Sequence, residues 1–508
     1  MLEMLFNGFA DVISIGNIGF LVFGVMLGTV MGAIPGLTAT MAIALIIPMT
    51  FYMDPVRSLI MLIGAYNGGI FGGSISAILL STPGTPASAA TSADGFALAK
   101  QGKAMKAMKM ALLASIHGCL FSTVILILVA APIAKFALKF GPGEYTVLMM
   151  FSLTIIGSAA GKSVVKGLMG GALGLLFSMV GLDPIAGIPR LTFSIPKLTG
   201  GIDLVVMLIG LLAVSEIFVQ IEKIARGNIH AHLPPSATSA DEKVSLKEWK
   251  QSYKTVARSS VIGCVIGALP ALGPTLAAYL GYDMAKRSSK HPEEFGKGSL
   301  EGVAASEAAN NAVCGANLIP LLAFGVPGDL VAAILIGAFM IQGITPGPLI
   351  FREAPHVVYG LYAGLIVANI VLLCITWFSF KWFAKVAQLS TTIIYPVVIM
   401  FCLVGVYALN QSLSDVWLML FFSVLGYFMI KFDFTPATFL IGFILGPLFE
   451  RNLRQALLIS QGSFDIFFAS PITWFLWIIT AVSIFTLIRR NYRDKKTHKE
   501  TEAERLEF

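Results

Sequence analysis

Gly32-Ala33-Ile34-Pro35-Gly36-Leu37-Thr38-Ala39-Thr40 returns, altered, as Gly267-Ala268-Leu269-Pro270-Ala271-Leu272-Gly273-Pro274-Thr275. Both stretches lie inside long apolar segments, where Pro and Gly interrupt a helix. Lipid cannot pair the backbone groups that such a break frees, so protein, water or a solute must do so. Matched interruptions in two halves of a chain mark an inverted repeat with a binding site between its copies. The fold class read from these stretches is an all-α polytopic membrane protein. It has two inverted-topology repeats with re-entrant hairpins and Pro/Gly-broken helices.

Composition supports this. Mean hydropathy is +0.83 and only 12% of residues are charged, too few to cover a soluble surface. Apolar runs of the roughly 20 residues that span a bilayer recur along the chain. The formal net charge of +7 sits in short loops and near the C-terminus. That follows the positive-inside pattern and is no sign of nucleic-acid binding. Met1 to Ile15 carries Glu3 and Asp11 but no Lys or Arg, unlike a cleaved secretory signal. Cys119, Cys264, Cys314, Cys374 and Cys402 have no metal or disulfide spacing and read as small buried hydrophobes. No GxSxG, HExxH or P-loop occurs, so neither an enzyme nor an ATP-driven pump is encoded.

Lys and Arg set the topology. Lys100 to Lys109, Lys223 to Arg258, Lys286 to Lys297 and Arg489 to Lys499 mark cytoplasmic segments, the last giving a cytoplasmic C-terminus. Residues 259–284, lying between two such loops, must enter and return as a hairpin, and 13–51 should do likewise. The first repeat then crosses through 56–98, 107–130, 145–161, 167–182 and 201–220. The second crosses through 298–343, 357–380, 393–410, 415–430 and 436–450, and 471–488 returns the tail to the cytoplasm. The domains are 1–222 (first repeat), 223–256 (linker), 257–455 (second repeat), 456–488 (last membrane segment) and 489–508 (tail). Lys135, Lys139, Arg190, Lys197, Arg451 and Arg454 dissent by falling outside.

Four breaks carry the chemistry: Pro35-Gly36, Pro83-Gly84-Thr85, Pro270 to Pro274, and Pro327-Gly328-Asp329. Each precedes a small-residue run that starts a new helix. Its first N–H groups are unpaired and its dipole is positive there, which suits a carboxylate. The candidate substrate-binding residues are Pro35, Gly36, Thr38, Thr40, Asn67, Pro83, Gly84, Thr85, Gly273, Pro274, Thr275, Asn310, Asn311, Pro327, Gly328 and Asp329. Asp329 is also placed to cap a helix. Na+ candidates lie near Ser74, Ser76, Ser306 and Asn317. The Gly68, Gly69, Gly72 and Gly73 cluster reads as helix packing. Glu301 and Glu307 fall near a cytoplasmic helix end, where they reach water, and His117 reads as a packed histidine. The result is a secondary transporter with an anion-friendly site and Na+ or H+ as driving ion. It uses no cofactor.

Gly-Ala-Ile-Pro-Gly-Leu-Thr-Ala-Thr (32–40), Pro83-Gly84-Thr85-Pro86-Ala87-Ser88 through Thr91 to Asp94-Gly95, and Glu301 to Ala312 resemble the large permease subunit of tripartite tricarboxylate transporters. Ile319-Pro320-Leu321, Gly325-Val326-Pro327-Gly328 and Pro346-Gly347-Pro348 extend the likeness over nearly the whole chain. The resemblance implies a cation-coupled importer of small carboxylates, such as di- and tricarboxylates, in a bacterial inner membrane. It also implies a small membrane subunit of about four helices and a periplasmic solute-binding protein as partners, beside the surrounding lipid. A stand-alone carboxylate transporter or channel is the alternative.

Overall fold

The apolar runs fold as helices, and Pro, Gly and short polar segments end them. The computed structural model describes residues 2–159, 163–183, 185–225, 242–270, 272–387 and 391–485. The middle of the 223–256 linker and the 489–508 tail lie outside the described residues. The first half contains α1 (Leu2–Ile13), α2 (Ile15–Ala33), α3 (Ala39–Thr50), α4 (Pro55–Leu80), a 3-10 turn (Pro86–Ser88), α5 (Ala89–Lys100), α6 (Ala104–Ala137), α7 (Pro142–Ala159), α8 (Val164–Ser178), α9 (Pro196–Thr199), α10 (Leu204–Leu208), and α11 (Ser215–Ala225), which continues α10 through a π-turn. The second contains α12 (Leu246–Ala268), α13 (Gly273–Ser288), α14 (Leu300–Ala316), α15 (Leu318–Phe324), α16 (Leu330–Ile341), α17 (Ile350–Glu353), α18 (Pro355–Val386), α19 (Thr391–Asn410), α20 (Leu413–Lys431) and α21 (Pro436–Ile459). α12 starts at Leu246, inside the stretch read as linker. Among the described residues, six helices are long and apolar enough to cross a membrane: α2, α4, α6, the α10–α11 rod, α18 and α20.

The expected hairpins are present, as the order of contacts shows. Gly24, Gly28 and Gly32 of α2 lie on Met61, Ala65 and Gly69 of α4, so these helices run together. Ala39 of α3 meets Gly69, while Thr50 at its far end accepts the Ser58 hydroxyl, so α3 returns. At 1.5 Å per residue the 12 residues of α3 rise about 18 Å, well short of a ~30 Å hydrocarbon core. In the second half, Gly263 and Gly267 of α12 lie on Ala309 and Val313 of α14. α13 runs back along the same helix: Ala277 packs with Ala309 and Val313, Gly281 with Ala305, and Ser289 bonds Glu301 at 2.6 Å.

The two copies run in opposite directions. α18 runs with α4, placing Gly360 on Val56 and Gly364 on Ile60. It runs against α6, where Asn369 donates to the Cys119 sulfur and Lys109 lies over Trp377. α6 runs with α14: Ser115 donates to Glu307, and the Ser122 hydroxyl accepts from the Gly315 N–H. α14 is therefore antiparallel to α4, and α18 to α6. One constant shift carries Ala65 onto Ala309, Asn67 onto Asn311, Gly69 onto Val313, and Pro83-Gly84-Thr85 onto Pro327-Gly328-Asp329.

The chain forms two compact units, each drawing on both halves of the sequence: 1–137 with 203–427, and 138–202 with 428–508. All four breaks lie in the first. In the second, Gly174 and Gly442 let α8 and α21 pack backbone to backbone. This unit also holds the three dissenting arginines, two of which are ion-paired. Arg190 grips Glu450 through both terminal nitrogens, at 2.6 and 3.1 Å, and Arg454 reaches Asp183 at 2.7 Å. The pairs form one cluster of two arginines and two carboxylates, with Arg454 also reaching Glu450 at 3.1 Å. Backbone N–H groups of Ala186 and Ile185, with Arg454, hold the Asp183 carboxyl well below the usual carboxylate range. A depressed carboxyl adds stability above its unfolded pKa and loses it as pH falls toward the folded value. Asp183→Asn is expected to lower the thermal midpoint at neutral pH and to flatten its fall on acidification. Unfolding curves of both proteins from neutral to acidic pH check this, and identical midpoints at neutral pH would contradict it.

Candidate functional site

Each break is made locally and then held by a neighbour. At the first tip Gly36 adopts φ +85°, which a side chain resists, and turns α2 toward α3. Thr38 then caps α3, its hydroxyl accepting from the Met41 N–H at 3.3 Å and lying 2.8 Å from the Thr40 hydroxyl. At the second tip Gly273 has φ +67° with open space beside it, and no side chain caps α13. Among the described residues, no side chain bonds the first N–H groups of that helix. The tips also differ in cover. Gln220 of α11, held by Glu216 at 2.7 Å, sits where a Gly36 side chain would be.

The two Pro-Gly turns share one design. After α4 the chain doubles back, and the Gly84 N–H reaches the Gly73 carbonyl at 3.4 Å. Thr85 and Ser88 then form a capping box that opens the 3-10 turn leading to α5. After α15 the chain returns so that Gly328 lies on Asn317, the counterpart of Gly73. Asp329 caps α16, accepting from the Ala332 N–H at 2.8 Å, as its sequence position indicates. Replacing it with Ala is expected to cost about 0.5–2 kcal/mol, the usual value of a cap. Thermal unfolding of Asp329→Ala measures that loss, and no change would contradict the capping role.

These elements meet within one unit. Gly84 packs on the Gly32 carbonyl, joining the first turn to the first tip. The 3-10 turn packs on α13, linking the first turn to the second hairpin, and α3 packs on α16, linking the first hairpin to the second turn. Tyr66 ties the second turn to α4: it donates to Asp329 at 3.2 Å and accepts from Asn317 at 2.9 Å. Pro35, Gly36, Thr38, Thr40, Gly273, Pro274 and Thr275 remain partly exposed, while Gly84, Thr85, Pro327, Gly328 and Asp329 are buried. Thr38 and Thr40 face each other rather than the asparagines.

Asn67 and Asn310 stand out. Both are buried; the Asn310 amide has no hydrogen-bond partner, and the Asn67 amide makes no well-aligned one, lying against the Cys119 thiol. Ser74 and the Asn317 side-chain oxygen also make no well-aligned hydrogen bond. Each unpaired buried group of this kind costs about 1–3 kcal/mol. Asn311 is satisfied instead, donating to Ser115 at 2.9 Å and to the Glu307 carbonyl at 3.0 Å. Ser76 bonds the Gly73 carbonyl in its own helix, and Ser306 lies 2.8 Å from the Thr91 hydroxyl.

Sequence reasoning missed four residues here: Tyr66, Gln220, Thr91 and Glu307. It placed Glu307 near water. The structure corrects this: Glu307 is fully buried, two turns inside α14, and accepts from Thr91 at 2.5 Å and Ser115 at 3.0 Å. α5 and α6 cover this face of α14, and a linear reading does not bring them there. Glu301 bonds Thr255 and Ser289. Asp94 is also buried, accepting from the N–H groups of Gly296, Gly298 and Ser299 and so fixing the start of α14. The His117 ring stacks on Tyr253, in keeping with a packed histidine. All five cysteines are free; Cys374 alone among them is exposed. Gly68, Gly69, Gly72 and Gly73 are contact points for α2, α3 and Thr85, as the packing reading requires.

Inverted copies, two re-entrant hairpins and paired discontinuous helices describe a polytopic membrane protein with the architecture of a transporter. The chain belongs to the tripartite tricarboxylate transporter TctA family, whose family model matches residues 18–441. It is 35% identical over 499 residues to an uncharacterized 52.8 kDa protein in the TAR-I ttuC' 3'region of Agrobacterium vitis, covering 98% of each chain. It is 36% identical over 234 residues to an uncharacterized protein in the TAR-II ttuC' 3'region of the same organism, covering 46% of this chain and 97% of that one.

Proposed function

We propose that this protein is the large permease of a cation-coupled importer of small carboxylates in a bacterial inner membrane. It takes solute from a separate binding protein and works beside a small membrane subunit. The observation that carries the reading is the pair of orphan amides, Asn67 and Asn310, in a fold whose four breaks bring fresh helix starts together. A carboxylate supplies the acceptors that the Asn67 and Asn310 amide N–H groups lack. The helix starts add partial positive charge with no basic side chain. Inverted copies supply two near-equivalent end states, facing opposite sides of the membrane.

The test is uptake of a labelled di- and tricarboxylate panel by cells producing the three subunits together, and then each pair. At least one carboxylate is expected to accumulate, with the binding protein required. Uptake by this chain alone would support the stand-alone carrier. No uptake of any carboxylate by the full assembly would remove the solute class.

A further inference from the structure

The constant shift between the copies places Ile63 where the second copy has Glu307, so helix packing in this fold does not call for a carboxylate there. A buried acid within a membrane span is costly and marks an ion pathway unless a partner neutralises it. The hydrogen-bond partners of Glu307 are the neutral Thr91, Ser115 and Asn311. Ser74, fully buried, faces the same carboxylate, and Asn310 with its two orphan atoms lies one turn along α14.

Most ionisable groups on the surrounding helices are engaged elsewhere; the buried Arg258 Nε of α12 and His117 Nε2 of α6 make no hydrogen bond. On α5, Asp94 is bound to the start of α14, and Tyr282 of α13 donates to it. On α6, His117 stacks on Tyr253 of α12, and Cys119 accepts from Asn369. On α4, Tyr66 pairs with Asp329 and Asn317. On α14 itself, Glu301 is held by Thr255 and Ser289.

What remains around Glu307 is one negative charge and hydroxyl oxygens from α4, α5 and α6. Hard oxygen donors suit a hard cation, and a single charge balances a monovalent one. Each hydroxyl can turn its proton outward and present a lone pair. We infer that Glu307, Thr91, Ser115 and Ser74 form the Na+ site that drives solute import, an assignment that rests on the importer reading above. Thr91 lies on α5, directly after the first Pro-Gly turn, so a bound ion ties that turn to α14 beside Asn310. Ion and solute then favour one arrangement of the same elements, which is the requirement for coupling.

Thermal unfolding of the full chain in detergent tests this, with NaCl titrated against choline chloride at constant ionic strength and neutral pH. The wild-type midpoint is expected to rise once Na+ exceeds its Kd, and KCl should not substitute. Glu307→Gln should abolish the response. Thr91→Val and Ser115→Ala should each raise the half-saturating Na+ concentration roughly tenfold, as loss of a ligand to a charged group does. These two carry the test if Glu307→Gln does not fold. Ser423→Ala on α20, whose hydroxyl bonds the Met419 carbonyl, is the control. An equal Na+ response in wild type and all three site variants overturns the assignment. So does a wild type that responds to pH but not to Na+. Absence of carboxylate uptake with saturable Na+ stabilisation intact counts against the importer reading alone.

Discussion

Gly84→Val is expected to abolish carboxylate uptake while leaving the protein inserted in the membrane. A side chain at Gly84 would run into the Gly32 carbonyl and sit 2.8 Å from the Ser76 hydroxyl and 3.0 Å from Gly73. All three are backbone or tightly held, so the turn itself must move. Overpacking of this kind costs about 1–3 kcal/mol, too little to unfold a bundle of this size. The same displacement shifts the start of the 3-10 turn and α5 away from the first hairpin. A shift of about 1 Å in a binding group costs roughly hundredfold in rate. Uptake assays alongside membrane-fraction quantification measure both effects. Normal uptake at normal abundance would dissociate this turn from the site.

The second large effect separates function from structure by its sign. Asn67→Leu and Asn310→Leu each remove a buried amide that has no well-aligned partner and put an apolar side chain of similar size in its place. If these residues only supported the fold, the change would destabilise it. Relief of an unpaired amide instead predicts an unchanged or higher thermal midpoint. Loss of hydrogen bonds to a carboxylate predicts uptake reduced roughly ten- to hundredfold at limiting solute. A lower midpoint with normal uptake would make these asparagines structural. Stability gained at the expense of activity is the expected mark of a binding site.

The breaks were legible because Pro and Gly inside apolar runs are strong local signals, and because they come in matched pairs. Pro35-Gly36 and Pro83-Gly84 each needed only a few neighbouring residues to be read. The hairpins followed from Lys on both sides of 259–284. What stayed hidden depends on contacts between distant segments. Glu307 is close in sequence to Lys297 and so read as near water, yet Thr91 of α5 and Ser115 of α6 close over it. Gln220 reaches Gly36 from α11, and Tyr66 reaches Asp329 across the two copies. Arg190 pairs with Glu450, and Arg454 with Asp183, from distant parts of the sequence. None of these meetings has a local pattern that could reveal it.

The most direct measurement is a density map of the purified protein saturated with whichever carboxylate the uptake panel identifies. The account predicts solute density between the hairpin tips, touching the helix starts after Pro35, Pro83 and Pro270 and within hydrogen-bonding distance of Asn67 and Asn310. Density bound elsewhere, with both amides still unpartnered, would contradict it.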